Sequence, residues 1–291
     1  MKQFKGTGVA LITPFTNENT VDTKSLSKLV EHQVENGIDY LVVLGTTAEG
    51  VTLSSEEKEQ VKKTVVEANQ SKLPLVLGMT SNDTAGLLNE VKNADLNGFD
   101  AILSACPYYN KPSQEGIFQH FDLLAKTSKL PIILYNVPGR TAKNIEPETV
   151  KRLADQHSNI IGIKEAAGDL DQAIRLMAIT KENFLVISGE DAIALPITLM
   201  GGAGVVSVVA QAFPKSYSSM INCGLKGDAT CARKYHYRLQ GAFDLGFQEG
   251  NPTGIKTFLN QLGLCQNTLR LPLIKATDEL EHAVKDYMSK F

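Results

Sequence analysis

The chain has 291 residues, of which 43% are hydrophobic and 21% are charged. This composition supports one large buried core and excludes a disordered chain. The formal net charge is −3 and no cluster of Lys and Arg is present, which excludes the basic surface of a nucleic-acid-binding protein. The sequence opens without a signal peptide, and it contains no run of about 18 apolar residues. We therefore expect a cytoplasmic protein without a membrane span or membrane partner.

Spacing of the cysteines and histidines argues against a metal site. Cys106, Cys223, Cys231 and Cys265 form no Cys-x-x-Cys pair, so we expect reduced, mostly buried thiols and neither a disulfide framework nor zinc. The five histidines are also not spaced as metal ligands. We expect no metal and no cofactor.

Eight short runs rich in Val, Ile and Leu alternate with longer amphipathic segments. Such runs are typical of parallel strands buried on both faces. The predicted strands are 8–13, 40–44, 75–78, 101–104, 132–135, 160–164, 184–188 and 204–208. Capping signals predict helix starts at Thr23, Ser54, Ser113 and Pro147 and helix ends at Gly37 and Gly98.

Repeated strand–helix units predict a parallel α/β fold. Eight units in 225 residues favour a closed (β/α)8 TIM barrel over residues 1–225, with an open doubly wound sheet as the alternative. Helical patterns alone follow, at 214–223, 228–247, 253–262 and 278–290. No linker composition precedes them, so residues 226–291 are expected to form a C-terminal helical extension packed on the barrel.

Active sites of such barrels lie at the C-terminal ends of the strands, and Lys164 ends the sixth predicted strand. Apolar walls around a lysine favour its neutral amine, which can attack a ketone and form an imine. The protonated imine withdraws electrons, so a proton can leave the neighbouring carbon and a nucleophilic enamine forms. Lys164 therefore predicts Schiff-base chemistry on a small 2-oxo acid.

Other polar residues follow neighbouring strands. The Tyr135 hydroxyl can donate or accept a proton, and Thr46 can link it to solvent or to a second tyrosine. The loop with Thr46 and Thr47 suits a carboxylate, and Arg140 can hold a second one through paired hydrogen bonds. Each residue taken singly is as readily an ordinary turn or surface residue, so the prediction rests on their meeting at one barrel mouth.

The sequence at these positions closely resembles the 4-hydroxy-tetrahydrodipicolinate synthase family, within the pyruvate-dependent, N-acetylneuraminate-lyase-like class I aldolases. The likeness extends from Gly8 to the end of the chain. Its markers are Gly45-Thr46-Thr47-Ala48-Glu49, Pro107-Tyr108-Tyr109-Asn110, Tyr135-Asn136-Val137-Pro138-Gly139-Arg140-Thr141 and Gly162-Ile163-Lys164. Each marker alone is weak, whereas all four in this order are specific.

The resemblance implies a catalytic set and an assembly. Lys164 would form the Schiff base, and Tyr135 would move protons during imine formation and cyclisation. Thr46 would relay those protons to Tyr109, which in this family reaches in from the neighbouring subunit. The family is usually a homotetramer built as a dimer of dimers.

The resemblance also implies the substrates, pyruvate and L-aspartate 4-semialdehyde. Thr47 would hold the pyruvate carboxylate, and Arg140 would bind the carboxylate end of the semialdehyde. The backbone at Gly189 and Val206 would line the pyruvate pocket. The condensation to 4-hydroxy-tetrahydrodipicolinate belongs to the diaminopimelate and lysine biosynthesis pathway.

Three other functions fit these residues less well. A sister lyase of N-acetylneuraminate or a 2-keto-3-deoxy sugar acid has less use for Arg140, which by resemblance the sialic-acid lyases lack. A non-catalytic sensor of 2-oxo acids would not need a proton relay. A phosphosugar-binding barrel needs a Gly-rich loop that binds the phosphate. Here Gly189 is followed by Glu190 and Asp191, and these two acidic residues would repel a phosphate.

The sequence departs from lysine-inhibited members of the family. Asn82 and Tyr108 match the positions that bind lysine as an inhibitor. The acidic and histidine groups of that site are missing at Gly50, Val51, Ser55, Lys58 and Gly86. Each lost charged hydrogen bond costs about 1.5–3 kcal/mol, so we expect weak or absent inhibition by lysine.

Overall fold

Eight parallel strands close into a barrel in the computed structural model, which describes residues Met1–Phe291. The strands are β1 (Gly6–Ala10), β2 (Tyr40–Val43), β3 (Leu75–Gly78), β4 (Ala101–Ala105), β5 (Ile132–Asn136), β6 (Ile160–Glu165), β7 (Leu185–Ser188) and β8 (Gly204–Ser207). Each strand pairs with the next, and β1 pairs with both β2 and β8. The predicted TIM barrel is confirmed, and the open sheet is excluded.

Twelve α-helices accompany the strands. They are α1 (Thr23–Glu35), α2 (Ser55–Asn69), α3 (Thr84–Asn93), α4 (Gln114–Thr127), α5 (Pro138–Thr141), α6 (Pro147–Gln156), α7 (Leu170–Ile179), α8 (Ala194–Leu199), α9 (Pro214–Leu225), α10 (Ala229–Phe247), α11 (Thr253–Gln261) and α12 (Asp278–Lys290). Helix α10 packs on α9, and both α11 and α12 pack on α10. The C-terminal helices therefore continue directly from the outer layer of the barrel. No helix is long and apolar enough to cross a membrane.

Local capping explains where several helices begin. Ser54 and Glu57 form a reciprocal capping box at the start of α2, and the Ser113 side chain accepts from the Gly116 N–H at the start of α4. These predicted starts are confirmed. The predicted helix end at Gly98 is wrong, because α3 ends at Asn93 and the backbone continues through an extended Ala94.

The first strand begins earlier than predicted, at Gly6 instead of residue 8, and it ends at Ala10 instead of residue 13. Beyond Ala10 the chain leaves the ladder, and the Ile12 N–H donates to the Gln211 side chain at 3.0 Å. Glycine is needed at Gly8, because a Cβ there would lie 2.2 Å from the Tyr40 ring. Glycine weakens a strand pattern in sequence, which hid the start of β1.

Two layers of apolar side chains form the core. A cluster of 61 buried residues lies between strands and helices, and a second cluster of 17 residues, including Val42, Leu103, Ile133 and Val206, fills the barrel interior. Alternate residues of a strand point to opposite faces, so each strand contributes to both clusters. The inner cluster includes Tyr135, which places that side chain inside the mouth.

The prediction of four reduced cysteines is wrong for one pair. A disulfide joins Cys223, in the last turn of α9, to Cys231, in the first turn of α10. The tight turn between the two helices brings their Cα atoms to 5.8 Å, a distance that permits a disulfide. A separation of eight residues matched no disulfide motif, so only the turn geometry reveals the pair.

Burial of His120 makes the stability of the fold depend on pH. Desolvation lowers the pKa of His120 from 6.5 to about 4, and its Nε2 atom is buried without a hydrogen-bond partner. Between these values the unfolded chain binds a proton that the folded chain does not, so stability falls as the pH drops through this window. This loss of stability stops near pH 4, where His120 in the folded chain also binds the proton.

We predict that His120→Gln removes this pH dependence. Between pH 7 and pH 5 the variant should gain about 2 kcal/mol of unfolding free energy relative to wild type. Denaturant unfolding at the two pH values measures the difference, with the exposed His282→Gln as the control. A constant difference between His120→Gln and wild type would show that burial of His120 contributes nothing to acid sensitivity.

Candidate active site

Lys164 and Tyr135 lie side by side at the C-terminal ends of β6 and β5. They are register partners in the sheet, and the Lys164 Nζ atom lies 4.4 Å from the centroid of the Tyr135 ring. The exposed fractions are 5% for Lys164 and 7% for Tyr135. No protein atom accepts a hydrogen bond from Nζ, so the strand and the packing around the side chain hold the amine in place.

The β7 strand end closes one side of this pair. The Gly189 N–H donates to the Glu165 carbonyl at 2.7 Å, and a Cβ at Gly189 would lie 2.9 Å from the Lys164 Cε atom. A side chain at Gly189 would therefore displace the lysine. Val206, on β8, is buried in the same inner cluster as Tyr135.

A cavity of about 860 Å³ opens at the C-terminal ends of β2 to β5, and Thr46, Tyr135 and Arg140 line it, whereas Lys164, Thr47 and Gly189 do not. The loop that contains Thr46 and Thr47, here called the threonine loop, therefore shares this cavity with Tyr135. Tyr108 lines the cavity as well, but Tyr109 does not. Tyr109 is 86% exposed on the surface of the chain, so the structure does not bring it to the cavity that Thr46 and Tyr135 line.

Asn251, in the segment between α10 and α11, connects the two predicted carboxylate-binding residues. Its side-chain N–H donates to the Thr47 hydroxyl at 2.9 Å, and its backbone carbonyl accepts from the Arg140 guanidinium at 3.3 Å. Sequence reasoning missed Asn251, because nothing in the C-terminal helical pattern places that residue above the barrel mouth.

A buried ion pair fixes the end of the threonine loop. Glu49 accepts from the Lys256 Nζ atom of α11 at 2.6 Å, and both side chains are almost completely buried. Lys256 also donates to the Thr268 carbonyl at 2.8 Å, and the second Glu49 oxygen accepts from the Arg270 N–H at 3.0 Å. Burial lowers the pKa of Lys256, and attraction to Glu49 opposes that shift.

Comparisons with known proteins show the family of this chain. A sequence model of the dihydrodipicolinate synthetase family matches residues 3–291. The chain belongs to this family. The 4-hydroxy-tetrahydrodipicolinate synthase of Flavobacterium psychrophilum is 51% identical over 282 residues, covering 97% of this chain and 96% of the relative. That of Phocaeicola vulgatus is 47% identical over 272 residues, covering 94% and 92%.

Solved structures of the family share the whole fold. The dihydrodipicolinate synthase of Thermotoga maritima superposes with a TM-score of 0.96 at 37% identity, covering 99% of this chain and 98% of the other. A monomeric dihydrodipicolinate synthase variant gives the same TM-score and identity, covering 99% and 97%. The C-terminal helices are thus part of the fold that this chain shares with the family.

A buried network of polar side chains supports the strand ends behind the lysine. Asn136 donates to both Glu165 oxygens at 3.0 Å, and Gln172 donates to one of them at 3.0 Å. The same Asn136 amide donates to Asn144 at 2.7 Å. Burial raises the pKa of Glu165, whereas these donors lower it. The network ties β5 to β6 at the residues that follow Tyr135 and Lys164.

The two free thiols, Cys106 and Cys265, are both buried. Burial raises the pKa of Cys106 and of Cys265 to about 12. A protonated thiol is a poor nucleophile at neutral pH. Neither thiol is therefore a good candidate for the nucleophile of the site.

We predict that Lys256→Met destabilises the protein by about 3–5 kcal/mol, because it leaves the Glu49 carboxylate buried and unpaired. The double variant Glu49→Gln/Lys256→Met should recover much of that loss. Thermal or denaturant unfolding measures both, with Lys290→Met, which removes an exposed pair with Asp286, as the control. Equal destabilisation by Lys256→Met and Lys290→Met would contradict the role of the buried pair.

Proposed function

We propose that this enzyme condenses pyruvate with L-aspartate 4-semialdehyde to 4-hydroxy-tetrahydrodipicolinate, through a Schiff base on Lys164. The observation that carries the proposal is the buried Lys164 amine, which has no hydrogen-bond partner and faces the Tyr135 ring at 4.4 Å. Its supports are membership of the dihydrodipicolinate synthetase family and curated relatives of that activity at up to 51% identity. Such a site suits a small ketone that needs activation.

The first half of the reaction uses pyruvate alone. The Lys164 amine attacks the pyruvate carbonyl carbon, and loss of water gives a protonated imine. Loss of a proton from the methyl carbon then gives an enamine. The Tyr135 hydroxyl moves protons in these steps, and the Thr47 hydroxyl and nearby backbone N–H groups hold the pyruvate carboxylate.

The second half joins the two substrates and releases the enzyme. The enamine carbon attacks the aldehyde carbon of the semialdehyde, which forms the new carbon–carbon bond and restores the imine. The substrate amino group then attacks the imine carbon, displaces the Lys164 amine and closes the ring. Arg140 holds the semialdehyde carboxylate, because its guanidinium is exposed and makes one hydrogen bond within the protein, to Asn251.

Steady-state kinetics with the purified protein tests this function. Wild type should consume both substrates, and Tyr135→Phe should lower kcat by about 10²–10⁴-fold because it removes the proton-transfer group. An unchanged circular dichroism spectrum would show that the variant is folded. Cleavage of N-acetylneuraminate without use of the semialdehyde would identify a sister lyase and contradict the proposal.

We propose a homotetramer in which Tyr109 completes the relay of a partner subunit. Tyr109 is exposed and does not line the cavity of its own chain, whereas Thr46 and Tyr135 do. Val51, near the same mouth, is 91% exposed. Contact between two copies there would bury both residues and bring a second tyrosine to Thr46.

Mixing two inactive variants tests the shared relay. Lys164→Ala and Tyr109→Phe subunits that reassemble at random should regain about a quarter of the wild-type sites, since each mixed pair contains one intact site. The measurement compares the activity of the mixture with the activity of each variant alone. No recovery, with mixed assemblies shown by native mass spectrometry, would place Tyr109 in the relay of its own chain or outside it.

We also propose that lysine inhibits this enzyme weakly or not at all. Gly50, Val51, Ser55 and Lys58 line the same cavity as Tyr108. The side chain of Lys58 is positively charged, so it would repel the ammonium group of a lysine ligand at this surface. Inhibition by micromolar lysine in the same assay would contradict this.

A further inference from the structure

Glu165 is a buried carboxylate at the end of β6, next in the chain to the reactive lysine. Successive residues of a strand point to opposite faces, so the Glu165 side chain points away from that of Lys164. Its oxygens accept from the Asn136 amide at 3.0 Å, the Gln172 amide at 3.0 Å and the Ala167 N–H at 2.8 Å. These donors are all neutral, so hydrogen bonds alone offset the cost of burying the charge.

An ionised carboxylate fixes which way its amide partners face, because it accepts hydrogen bonds and cannot donate them. Asn136 and Gln172 therefore turn their NH2 groups toward Glu165 and their side-chain oxygens away from it. The Asn136 oxygen accepts from the Ile145 N–H at 2.9 Å, and the Gln172 oxygen accepts from the Asn144 side chain at 2.8 Å. The charge on Glu165 thus sets the direction of the hydrogen bonds at the next two residues outward.

The residues held in this way close the loop that carries Arg140. This loop, here called the arginine loop (residues 137–144), starts after Asn136 at the end of β5. The Asn136 amide bonds the Asn144 side chain across the base of the loop at 2.7 Å, and the Gln172 amide donates to the same Asn144 oxygen at 3.1 Å. Arg140 itself is exposed. The base of the loop therefore contributes to where Arg140 lies.

We propose that Glu165 and Gln172 are positioning residues, which hold the arginine loop at a fixed place relative to Lys164. Neither residue lines the cavity at the mouth, so both act through Arg140, and the inference rests on the proposed function. Lys164 is held by its own strand, so loss of the network should leave imine formation with pyruvate intact while it displaces the arginine loop. A displacement of about 1 Å in a substrate-positioning group can cost 10²-fold in rate.

Two variants test this role by separate measurements on the two substrates. Glu165→Gln keeps the size of the side chain but places an NH2 group against other donors, and Gln172→Leu removes the bridge to Asn144. In both, kcat/KM for L-aspartate 4-semialdehyde should fall about 10-fold or more, while the rate at which borohydride traps pyruvate should change by less than about twofold. Glu182→Gln, at an exposed glutamate before β7, is the matched control and should change neither.

Combination with Arg140→Ala shows whether Glu165 acts through the arginine. In that background the arginine is already lost, so Glu165→Gln should lower kcat/KM by less than about a further twofold. Losses that multiply in the double variant, an equal loss of pyruvate trapping, or no loss with the semialdehyde would overturn the positioning role. A wild type that traps no pyruvate and ignores the semialdehyde overturns the proposed function, and this inference with it.

Discussion

Pairing of β6 with both β5 and β7 brings the C-terminal ends of these three strands together, and the positions of Tyr135, Lys164 and Gly189 depend on that constraint. The register pairs Tyr135 with Lys164, and Gly189 leaves room for the lysine side chain between them. The buried network of Glu165, Asn136 and Gln172 ties the ends of β5 and β6 together at the residues that follow Tyr135 and Lys164.

The C-terminal segment contacts the site through Lys256 and Asn251. The Glu49–Lys256 pair fixes the end of the threonine loop, and Asn251 bonds both Thr47 and Arg140. Residues far apart in sequence thus position the two predicted carboxylate sites relative to each other. Because a shift of about 1 Å in such groups can cost 10²-fold in rate, we infer that the extension contributes to catalysis through positioning.

The fold was largely predictable from the sequence, since eight apolar runs with regular helical spacers have few other arrangements. Lys164 and Tyr135 were predictable for the same reason, because each ends such a run. Glu49, Asn251 and Lys256 were not, because their partners are 204 and 207 residues away in the chain and no periodic pattern encodes those contacts. The Cys223–Cys231 disulfide escaped prediction because it depends on one tight turn between helices, and the early start of β1 was masked by its glycines.

Borohydride reduction in the presence of pyruvate tests the central claim most directly, with intact mass and peptide mapping as the readout. The account predicts one pyruvate-derived adduct per chain, located on the peptide that contains Lys164 and absent from Lys164→Arg. A folded protein that gives no adduct, or an adduct on a different lysine, would contradict the Schiff-base assignment and the mechanism built on it.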